Sequence, residues 1–133
     1  MAKRKKKSLI VRLVEEMDAI AKAQMFARDR KEWGNKCGLC GRSDLRLDWN
    51  HLISKTKYSV RWNPINIYAF CIGCNMRHEF NPQYYTAWWL KRHGAEAYQA
   101  LVAWSNIPAK FKSKDLKAMI EKAKAVEGPE NDI

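Results

Sequence analysis

The sequence contains little that would suit a membrane protein, a secreted protein or a repetitive fibre. No apolar run approaches the roughly 20 residues that a membrane-spanning helix needs. The basic start of the chain is not followed by an apolar segment, so we expect no secretory signal. Glycine and proline are scarce, at six and four residues, and no internal repeat occurs, which argues against a collagen-like or low-complexity chain. With 47% apolar residues in a length of 133, the composition instead indicates one ordinary globular domain.

Acidic residues are also few compared with basic residues. The chain has 14 aspartates and glutamates against 25 lysines and arginines, which gives a net charge of +11 and a pI near 9.7. The excess is uneven, since residues 1–36 carry a net +6, residues 37–93 carry +5 and residues 94–133 carry none. Such an imbalance predicts an anionic partner, and nucleic acid is the commonest one.

The four cysteines form two Cys-x-x-Cys pairs, Cys37 with Cys40 and Cys71 with Cys74. Two thiolates separated by two residues can bind one ion, and a second pair completes the tetrahedron that Zn²⁺ prefers. We therefore predict a structural zinc site. The alternatives are two disulfides or two redox pairs, although no thioredoxin-like βαβ unit accompanies them. The 30 residues between the pairs exceed those of a simple zinc ribbon, so this insert is expected to hold the function.

The chain is predicted to consist of a basic arm, a central domain and a helical segment at each end. The arm is expected to be disordered, with phosphate contacts or solubility as its two alternative roles. Apolar residues recur at helical spacing after Ser8, which is the predicted N-cap, and this stripe would allow a homodimer without requiring one. The predicted boundaries are 1–7 for the arm, 8–32 for the first helix, 33–105 for the central domain and 106–133 for a C-terminal helix and tail, with that helix running from Ser113 to Gly128–Pro129.

Within the central domain, the pattern changes from strand to helix. Leu45, Leu47 and Trp49 alternate with polar residues, which is the period of a β-strand, and Val60–Trp62 is predicted to be a second short strand. The fold class that follows is α+β, with helices around a small zinc-stapled ββα unit. Helices are predicted to begin near Asn75, to run from Asn81–Pro82 to Gly94, and to run from Ala95 to about Ser105.

The second of these helices is rich in aromatic residues. We interpret them as core or interface residues rather than as a surface on which bases stack. We interpret His93 as a helix-terminal residue without a function. The aromatic residues are Tyr84, Tyr85, Trp88 and Trp89.

Three segments of the central domain resemble the HNH, or ββα-metal, endonuclease motif. They are Leu47–Ile53, Arg61–Ile67 and Cys71–His78. Within that superfamily the chain resembles the phage recombination nucleases of the NinG type, which share the Asp-x-x-His strand, the Arg-x-Asn-x-x-Asn-Ile segment and the Cys-x-x-Cys-Asn knuckle. The similarity covers about residues 33–105, the expected nuclease domain, and leaves the first 30 and the last 25 residues outside it.

The resemblance implies a role for individual residues. His51 would be the general base, Asn66 would brace the loop between the strands through backbone hydrogen bonds, and Asn75 would be a ligand of a catalytic Mg²⁺ or Mn²⁺ ion. The cysteines would hold the structural zinc. The rest of the catalytic metal shell stays open, with Asp48 and His78 as the predicted ligands and Asn50 and Glu79 as alternatives.

The resemblance also implies the function. It implies a metal-dependent DNA endonuclease that leaves 5′-phosphate and 3′-hydroxyl ends, acts in phage-type recombination or on structured DNA, and works in the cytoplasm of a bacterial host. DNA would be recognised through its backbone and shape, and no membrane partner is expected. The alternatives are a non-catalytic zinc-ribbon module that binds DNA, and a homing- or packaging-associated HNH nuclease. The predicted DNA contacts are Lys55, Lys57, Arg61 and Arg77.

Overall fold

The computed structural model describes residues 6–126, which form a mixed α+β fold. Five α-helices and one two-stranded antiparallel sheet occur in that part of the chain, as the predicted class requires. None of its helices combines the length and the apolar character that crossing a bilayer demands. In chain order the elements are α1 (Leu9–Trp33), β1 (Leu47–His51), a 3₁₀ helix (Pro64–Asn66), β2 (Ile67–Cys71), α2 (Ile72–Phe80), α3 (Gln83–His93), α4 (Ala95–Ser105) and α5 (Ser113–Val126).

The chain divides into two compact units, and α1 contributes to both. One unit is Met1–Gln24 with Lys110–Ile133, and the other is Met25–Ala109. The second half of α1 therefore belongs to the unit that contains the sheet. Most of the predicted disordered arm, and the predicted helix end at Gly128–Pro129, lie outside the described residues.

The first unit is a pair of helices with a buried apolar stripe. Ser8 caps α1 as predicted, because its Oγ accepts a hydrogen bond from the N–H of Val11 at 3.2 Å. The side-chain amide of Gln24 donates to the carbonyl of Ala123 in α5 at 3.0 Å, where it satisfies a helical C=O near the end of α5. The buried apolar residues are Leu13, Met17, Ile20 and Ala21 in α1 and Leu116 and Ile120 in α5.

In the second unit, the sheet lies at the centre of an aromatic core. Strands β1 and β2 pair in register from Leu47 opposite Cys71 to His51 opposite Ile67. All five residues of β2 are buried. Aromatic rings of α3 pack against one face of β2, with centroid distances of 4.7–5.0 Å, and this confirms the interpretation of Tyr85 and Trp89 as core. Tyr84, in contrast, is 48% exposed.

The predicted strand at Val60–Trp62 is wrong. These residues form turns, in which the N–H of Val60 donates to the carbonyl of Lys57 and the N–H of Asn63 donates to that of Val60. Their backbone groups are thus satisfied locally, and β1 pairs instead with the buried run Ile67–Cys71.

Two helix starts also differ from the prediction. Helix α2 begins at Ile72 rather than near Asn75, because the Sγ of Cys71 acts as its N-cap and accepts from the N–H of Cys74 at 3.4 Å. Helix α3 begins one residue later than predicted, with Pro82 in the N-cap position. It ends at Gly94 as predicted, where a φ of 91° requires a residue without a side chain.

Candidate metal centre and candidate active site

The four cysteines converge on a single point. Their sulfur atoms all lie within 4.8 Å of one another, with Cys37 and Cys74 3.8 Å apart and Cys40 and Cys71 3.7 Å apart. Zn–S bonds of about 2.3 Å in a tetrahedron put the sulfurs about 3.8 Å apart, whereas a disulfide needs about 2.05 Å. The cysteines are free thiols placed to bind a metal ion, and their spacing is compatible with the predicted structural zinc.

The first knuckle is built from backbone hydrogen bonds and two glycines. The N–H groups of Leu39 and Cys40 both donate to the sulfur of Cys37 at 3.4 Å. Gly41 has a φ of 78°, which favours glycine. Gly38 is required for a different reason, since a Cβ at this position would come within 2.5 Å of the Trp33 ring. The end of α1 therefore packs directly against the knuckle.

Burial changes the acidity of the thiols. Burial raises the pKa of Cys37 and of Cys74 above the ordinary value. At Cys40, burial acts in the same upward direction, but hydrogen bonds from the Arg42 backbone and from the neighbouring cysteines outweigh it and lower the pKa. A metal ion that replaces the thiol protons would stabilise several thiolates in one buried place.

His51, the predicted base, is the last residue of β1. Its Nε2 lies 2.9 Å from the carbonyl oxygen of Arg61. Because a carbonyl can only accept, we assign the proton to Nε2, and the lone pair of the neutral ring is then on Nδ1. The ring is half-buried and stands edge-on to Trp49, with 4.5 Å between centroids. The imidazole is thus held in one tautomer and one orientation.

Asn66 connects the two ends of the loop that carries Arg61. Its side chain is fully buried, and its Oδ1 accepts from the N–H of Ile53 at 2.9 Å. Its Nδ2 donates to the carbonyls of Ile53 and Val60, both at 3.0 Å. One amide therefore forms three hydrogen bonds to the backbone of the loop, and the loop in turn positions the carbonyl that His51 contacts.

Helix α2 reaches the end of β1 through His78. The Nε2 of His78 lies 2.9 Å from the carbonyl oxygen of Leu52, the residue after His51, and its ring lies 4.8 Å from that of Tyr85. Asn75 lies one turn earlier, about 4.5 Å along the helix, and is exposed. Glu79 follows Asn75 by four residues on the same side of α2 and is exposed as well.

Asp48 and Asn50 lie on the other face of β1 from His51. The register of β1 is regular, so residues alternate between the two faces. Asp48 is half-buried, and its Oδ1 accepts from the N–H of Trp49 at 2.8 Å. Asn50 is buried, its Nδ2 donates to backbone carbonyls at 3.0 and 3.2 Å, and its own carbonyl accepts from the Tyr85 hydroxyl. Tyr85 thus bonds to the backbone of Asn50 through its hydroxyl and lies beside His78 through its ring.

Two polar atoms of this group are buried without a hydrogen bond from any described residue. They are the Oδ1 of Asn50 and the Nδ1 of His78. Because the Nε2 of His78 faces a carbonyl and carries the proton, its Nδ1 has a lone pair. A buried acceptor without a partner costs roughly 1–3 kcal/mol. His78 is a predicted ligand of the catalytic metal, and Asn50 is one of the alternatives.

The predicted DNA-binding residues differ in how they are held. Lys55 and Lys57 are exposed in the loop after β1. The guanidinium of Arg61 donates to the carbonyl of Lys55 at 3.0 Å and lies 5.0 Å from the ring centroid of Tyr58. Arg77 is exposed on α2, and its guanidinium lies 4.1 Å from the ring centroid of Tyr84. Two of the four cations are thus held by aromatic rings.

A buried ion pair that the sequence analysis missed covers the outer edge of β2. Asp29 is completely buried, and its carboxylate pairs with Arg28 at 2.7 Å and accepts from the N–H of Ala69 at 2.8 Å. Arg28 also donates to the carbonyls of Pro64 and Ile67. The sequence did contain a signal, because Asp29 lies four residues after Met25 and so falls on the apolar face of α1. A charge buried there without a partner would be costly.

Over residues 1–127 the sequence matches the family profile described as bacteriophage Lambda NinG protein. The match corrects the expected extent of the resemblance, because it includes α1 and α5 as well as residues 33–105. Comparisons with curated proteins and with solved structures gave no significant match.

Proposed function

The chain belongs to the family of the bacteriophage Lambda NinG protein, and from this membership and the geometry at His51 we propose that it is a metal-dependent DNA endonuclease of the HNH type. The observation that carries the proposal is the imidazole of His51, whose Nε2 is oriented by the carbonyl of Arg61 at 2.9 Å. A neutral imidazole in a fixed tautomer is suited to removing a proton from water near pH 7. In this proposal Nδ1 of His51 is the base.

Two residues of α2 are proposed to hold a divalent cation. His78 offers a buried ring nitrogen with no hydrogen bond from the described residues, and Asn75 lies one turn earlier with an exposed amide. Asn50 lies on the face of β1 opposite His51 and takes no part. Oxygen donors suit Mg²⁺ and Mn²⁺, and imidazole suits the transition metals, so this donor set favours Mn²⁺ over Mg²⁺. When bound, such an ion would neutralise charge on the scissile phosphate and stabilise the leaving oxygen.

Asp48 takes no part in holding the ion in this proposal. It lies on the face of β1 opposite His51, and its carboxylate accepts a hydrogen bond from the backbone beside it. Glu79 is the alternative carboxylate, since it is exposed and lies on the same side of α2 as Asn75. The chain's own contribution to hydrolysis is therefore the base at His51 and the loop that Asn66 holds in place.

DNA is the proposed substrate because of charge. Lys55 and Lys57 are exposed on the loop that follows His51, and residues 37–93 carry eight basic against three acidic residues. Contacts of this kind go to phosphates and read little sequence, so the proposal is recognition by backbone and shape. The expected products carry 5′-phosphate and 3′-hydroxyl ends, and the proposed setting is phage-type recombination on structured DNA in the cytoplasm of a bacterial host.

The test compares the His51→Ala protein with wild type, both loaded with zinc. Linear, nicked, flapped and four-way DNAs are incubated with each protein in Mg²⁺, in Mn²⁺ and without a divalent ion. Loss of a general base is expected to lower the cleavage rate by about 10²- to 10⁴-fold, whereas DNA affinity measured without Mg²⁺ or Mn²⁺ stays unchanged. His93→Gln is the matched control, because His93 is a second half-buried histidine far along the chain from the proposed site.

Two results would contradict the proposal. Equal cleavage by the His51→Ala protein would remove His51 from the role of base. Absence of cleavage by wild type on every DNA and with both ions, combined with tight DNA binding, would favour the alternative of a zinc-ribbon module that only binds DNA.

A further inference from the structure

The loop between β1 and the 3₁₀ helix contains an arginine whose side chain contacts the loop itself. The guanidinium of Arg61 donates to the carbonyl of Lys55 at 3.0 Å and lies 5.0 Å from the ring centroid of Tyr58. The Tyr58 ring in turn packs edge-on against the Trp62 ring, with 5.9 Å between centroids. The side chain of Arg61 therefore reaches back across six residues and holds the loop in one shape.

The backbone of the same residue orients the proposed base. The carbonyl oxygen of Arg61 lies 2.9 Å from Nε2 of His51, and the N–H of Arg61 donates to the carbonyl of Tyr58 at 3.4 Å. The main chain and the side chain of Arg61 thus act on one loop. The side chain closes the loop, and the main chain presents the acceptor that the imidazole needs. A shift of the loop would move this acceptor away from the ring.

Asn66 holds a different part of the same loop. Its amide donates to the carbonyls of Ile53 and Val60, which lie on either side of the segment that carries the two lysines. The carbonyl of Lys55 lies inside this segment and accepts from Arg61 instead. The two side chains therefore support the loop at separate points, and Asn66 does not replace the bond from Arg61 to Lys55.

The surroundings of Arg61 differ from those of the two lysines. Lys55 and Lys57 are exposed, whereas Arg61 is half-buried. A guanidinium that lies over an aromatic ring and donates to a carbonyl uses its planar shape as well as its charge. A phosphate bound to this guanidinium would compete with the carbonyl of Lys55 and would disturb the loop that orients His51. The geometry thus favours a role within the loop over a role in holding DNA.

We propose that Arg61 is a positioning residue of the nuclease site. Its side chain holds the loop in the shape in which the Arg61 carbonyl orients His51. Contacts to DNA phosphates are made by Lys55 and Lys57 instead. The inference rests on the proposed function in taking His51 as the base and DNA as the substrate. It assigns to Arg61 a role other than the DNA contact that the sequence predicts.

The first test observes the His51 ring without any cleavage. Full-length, zinc-loaded protein labelled with ¹⁵N is studied by NMR without Mg²⁺ or Mn²⁺ at about pH 8, where imidazoles are neutral. A ring proton held in a hydrogen bond exchanges slowly enough to be seen, and the Nε2 proton of His51 is identified by its absence from the His51→Ala spectrum. Arg61→Ala is expected to lose this signal, because the carbonyl no longer stays against the ring.

The second test counts phosphate contacts through the salt dependence of DNA binding, again without Mg²⁺ or Mn²⁺. The slope of log affinity against log salt concentration falls in magnitude by about 0.9 for each lost contact to duplex DNA. Arg61→Ala is expected to keep the slope of wild type. Lys57→Ala is the matched control from the same loop, and it is expected to lower the slope by about 0.9 and to keep the His51 signal.

Cleavage kinetics add a third measurement. A displaced base affects the transition state and leaves substrate binding alone. Arg61→Ala is therefore expected to lower kcat by about 10- to 100-fold at a nearly constant KM. A lost phosphate contact would instead appear in KM.

Further substitutions separate the shape of the side chain from its charge. Arg61→Lys keeps the charge but lacks the planar fork, so it is expected not to restore the His51 signal. Tyr58→Leu removes the ring beneath the guanidinium and is expected to weaken the signal, whereas Tyr58→Phe keeps the ring and the signal. Thermal unfolding of each zinc-loaded protein verifies the fold. If Arg61→Ala does not fold, the comparison of the two Tyr58 variants decides the question.

The inference is overturned if the wild-type protein shows no His51 signal, or if Arg61→Ala keeps it. It is also overturned if Arg61→Lys restores the signal in full, because charge alone would then be enough. The outcome is separable from the proposed function. A signal that depends on Arg61 in a protein that cuts no DNA would support the positioning role and contradict the nuclease. Cleavage by wild type, combined with an Arg61→Ala protein that keeps the signal and loses one phosphate contact, would do the reverse.

Discussion

The carboxylate of Asp29 accepts a hydrogen bond from the backbone N–H of Ala69 at 2.8 Å, across 40 residues of sequence. The carbonyl of Ala69 accepts from Gly38, and the carbonyl of Ile67 accepts from Arg28. An uncovered strand edge would expose these groups and invite pairing with other chains. Helix α1 and the Cys37–Cys40 knuckle thus cover the edge of β2 with specific hydrogen bonds, which ties α1 to the strand that precedes α2.

The Asp29–Arg28 pair is expected to matter strongly for stability. In Asp29→Asn the side chain keeps its size and can still accept from Ala69, but the buried charge partner of Arg28 is lost. Breaking a buried pair costs about 3–5 kcal/mol, and the half-exposed position of Arg28 places the expected loss near the lower end. Urea unfolding measures the effect. The control is Glu32→Gln, which breaks a more exposed pair with Arg92 on the same helix and is expected to cost below about 1 kcal/mol. Equal losses of unfolding free energy in the two variants would contradict the stabilising role of the Asp29–Arg28 pair.

The stability of the fold is expected to be sensitive to the exchange of one heavy atom in the Asn66 side chain. Asn66→Asp keeps the acceptor for Ile53 but replaces the donor to the carbonyls of Ile53 and Val60 by a second oxygen. The carbonyl of Ile53 then loses its side-chain donor, the carbonyl of Val60 keeps only the N–H of Asn63, and a buried carboxylate oxygen faces both, with an expected cost of about 3 kcal/mol. The matched control is Asn63→Asp, which is expected to be almost neutral, since the Asn63 side chain only accepts a hydrogen bond, from the N–H of Ile65 at 3.1 Å. Urea unfolding distinguishes the two. A neutral Asn66→Asp would show that the amide does not brace the loop.

Zinc binding is expected to release protons and to weaken in acid. Burial raises the pKa of Cys37 and of Cys74, so both thiols are protonated at neutral pH when no metal is bound. The ion must displace these protons, and its affinity therefore falls as the pH falls. Calorimetry in buffers of different ionisation enthalpy counts the protons, and metal analysis should find one ion per chain.

Cys71→Ser is expected to lose the ion and much of the stability. Stable folding of this variant without metal would contradict a structural role.

His93 is expected to make the fold less stable below neutral pH. Its Nε2 lies 2.5 Å from the hydroxyl of Tyr68, and burial together with Arg92 and Arg28 lowers its pKa. The unfolded chain therefore takes up a proton as the pH falls below about 6.5, before the folded chain does. Stability declines through that window and levels off below the folded-state pKa.

His93→Gln tests this expectation. Glutamine can still bond to Tyr68 but does not titrate, so its stability should fall less than that of wild type between pH 7.5 and pH 5 in urea unfolding. The zinc site contributes the same pH dependence to both proteins, and the difference between them isolates His93. Identical pH profiles would show that His93 does not titrate differently in the folded and unfolded chains.

Local sequence patterns predicted much of the fold. The cap at Ser8, the end of α3 at Gly94 and the start of α5 at Ser113 depend on residues within one or two turns, and each was predicted correctly. The cysteine spacing likewise predicted a group of four thiols that the structure places together. These features need no knowledge of distant contacts, because the chemistry of each acts over a few residues.

The pairing of the strands and the surroundings of the candidate site depended on distant contacts. The residues Val60–Trp62 have a strand-like pattern, yet local turns and the side chain of Asn66 satisfy their backbone, and β1 pairs with Ile67–Cys71 instead. Asp29, Asn50 and His93 look like surface polar residues in the sequence. Partners 40, 20 and 25 residues away along the chain determine their environment. Composition and spacing are therefore enough to identify which residues are available for chemistry. Burial and long-range hydrogen bonds select the atoms that can perform this chemistry, because burial and such bonds arise only when distant segments pack together.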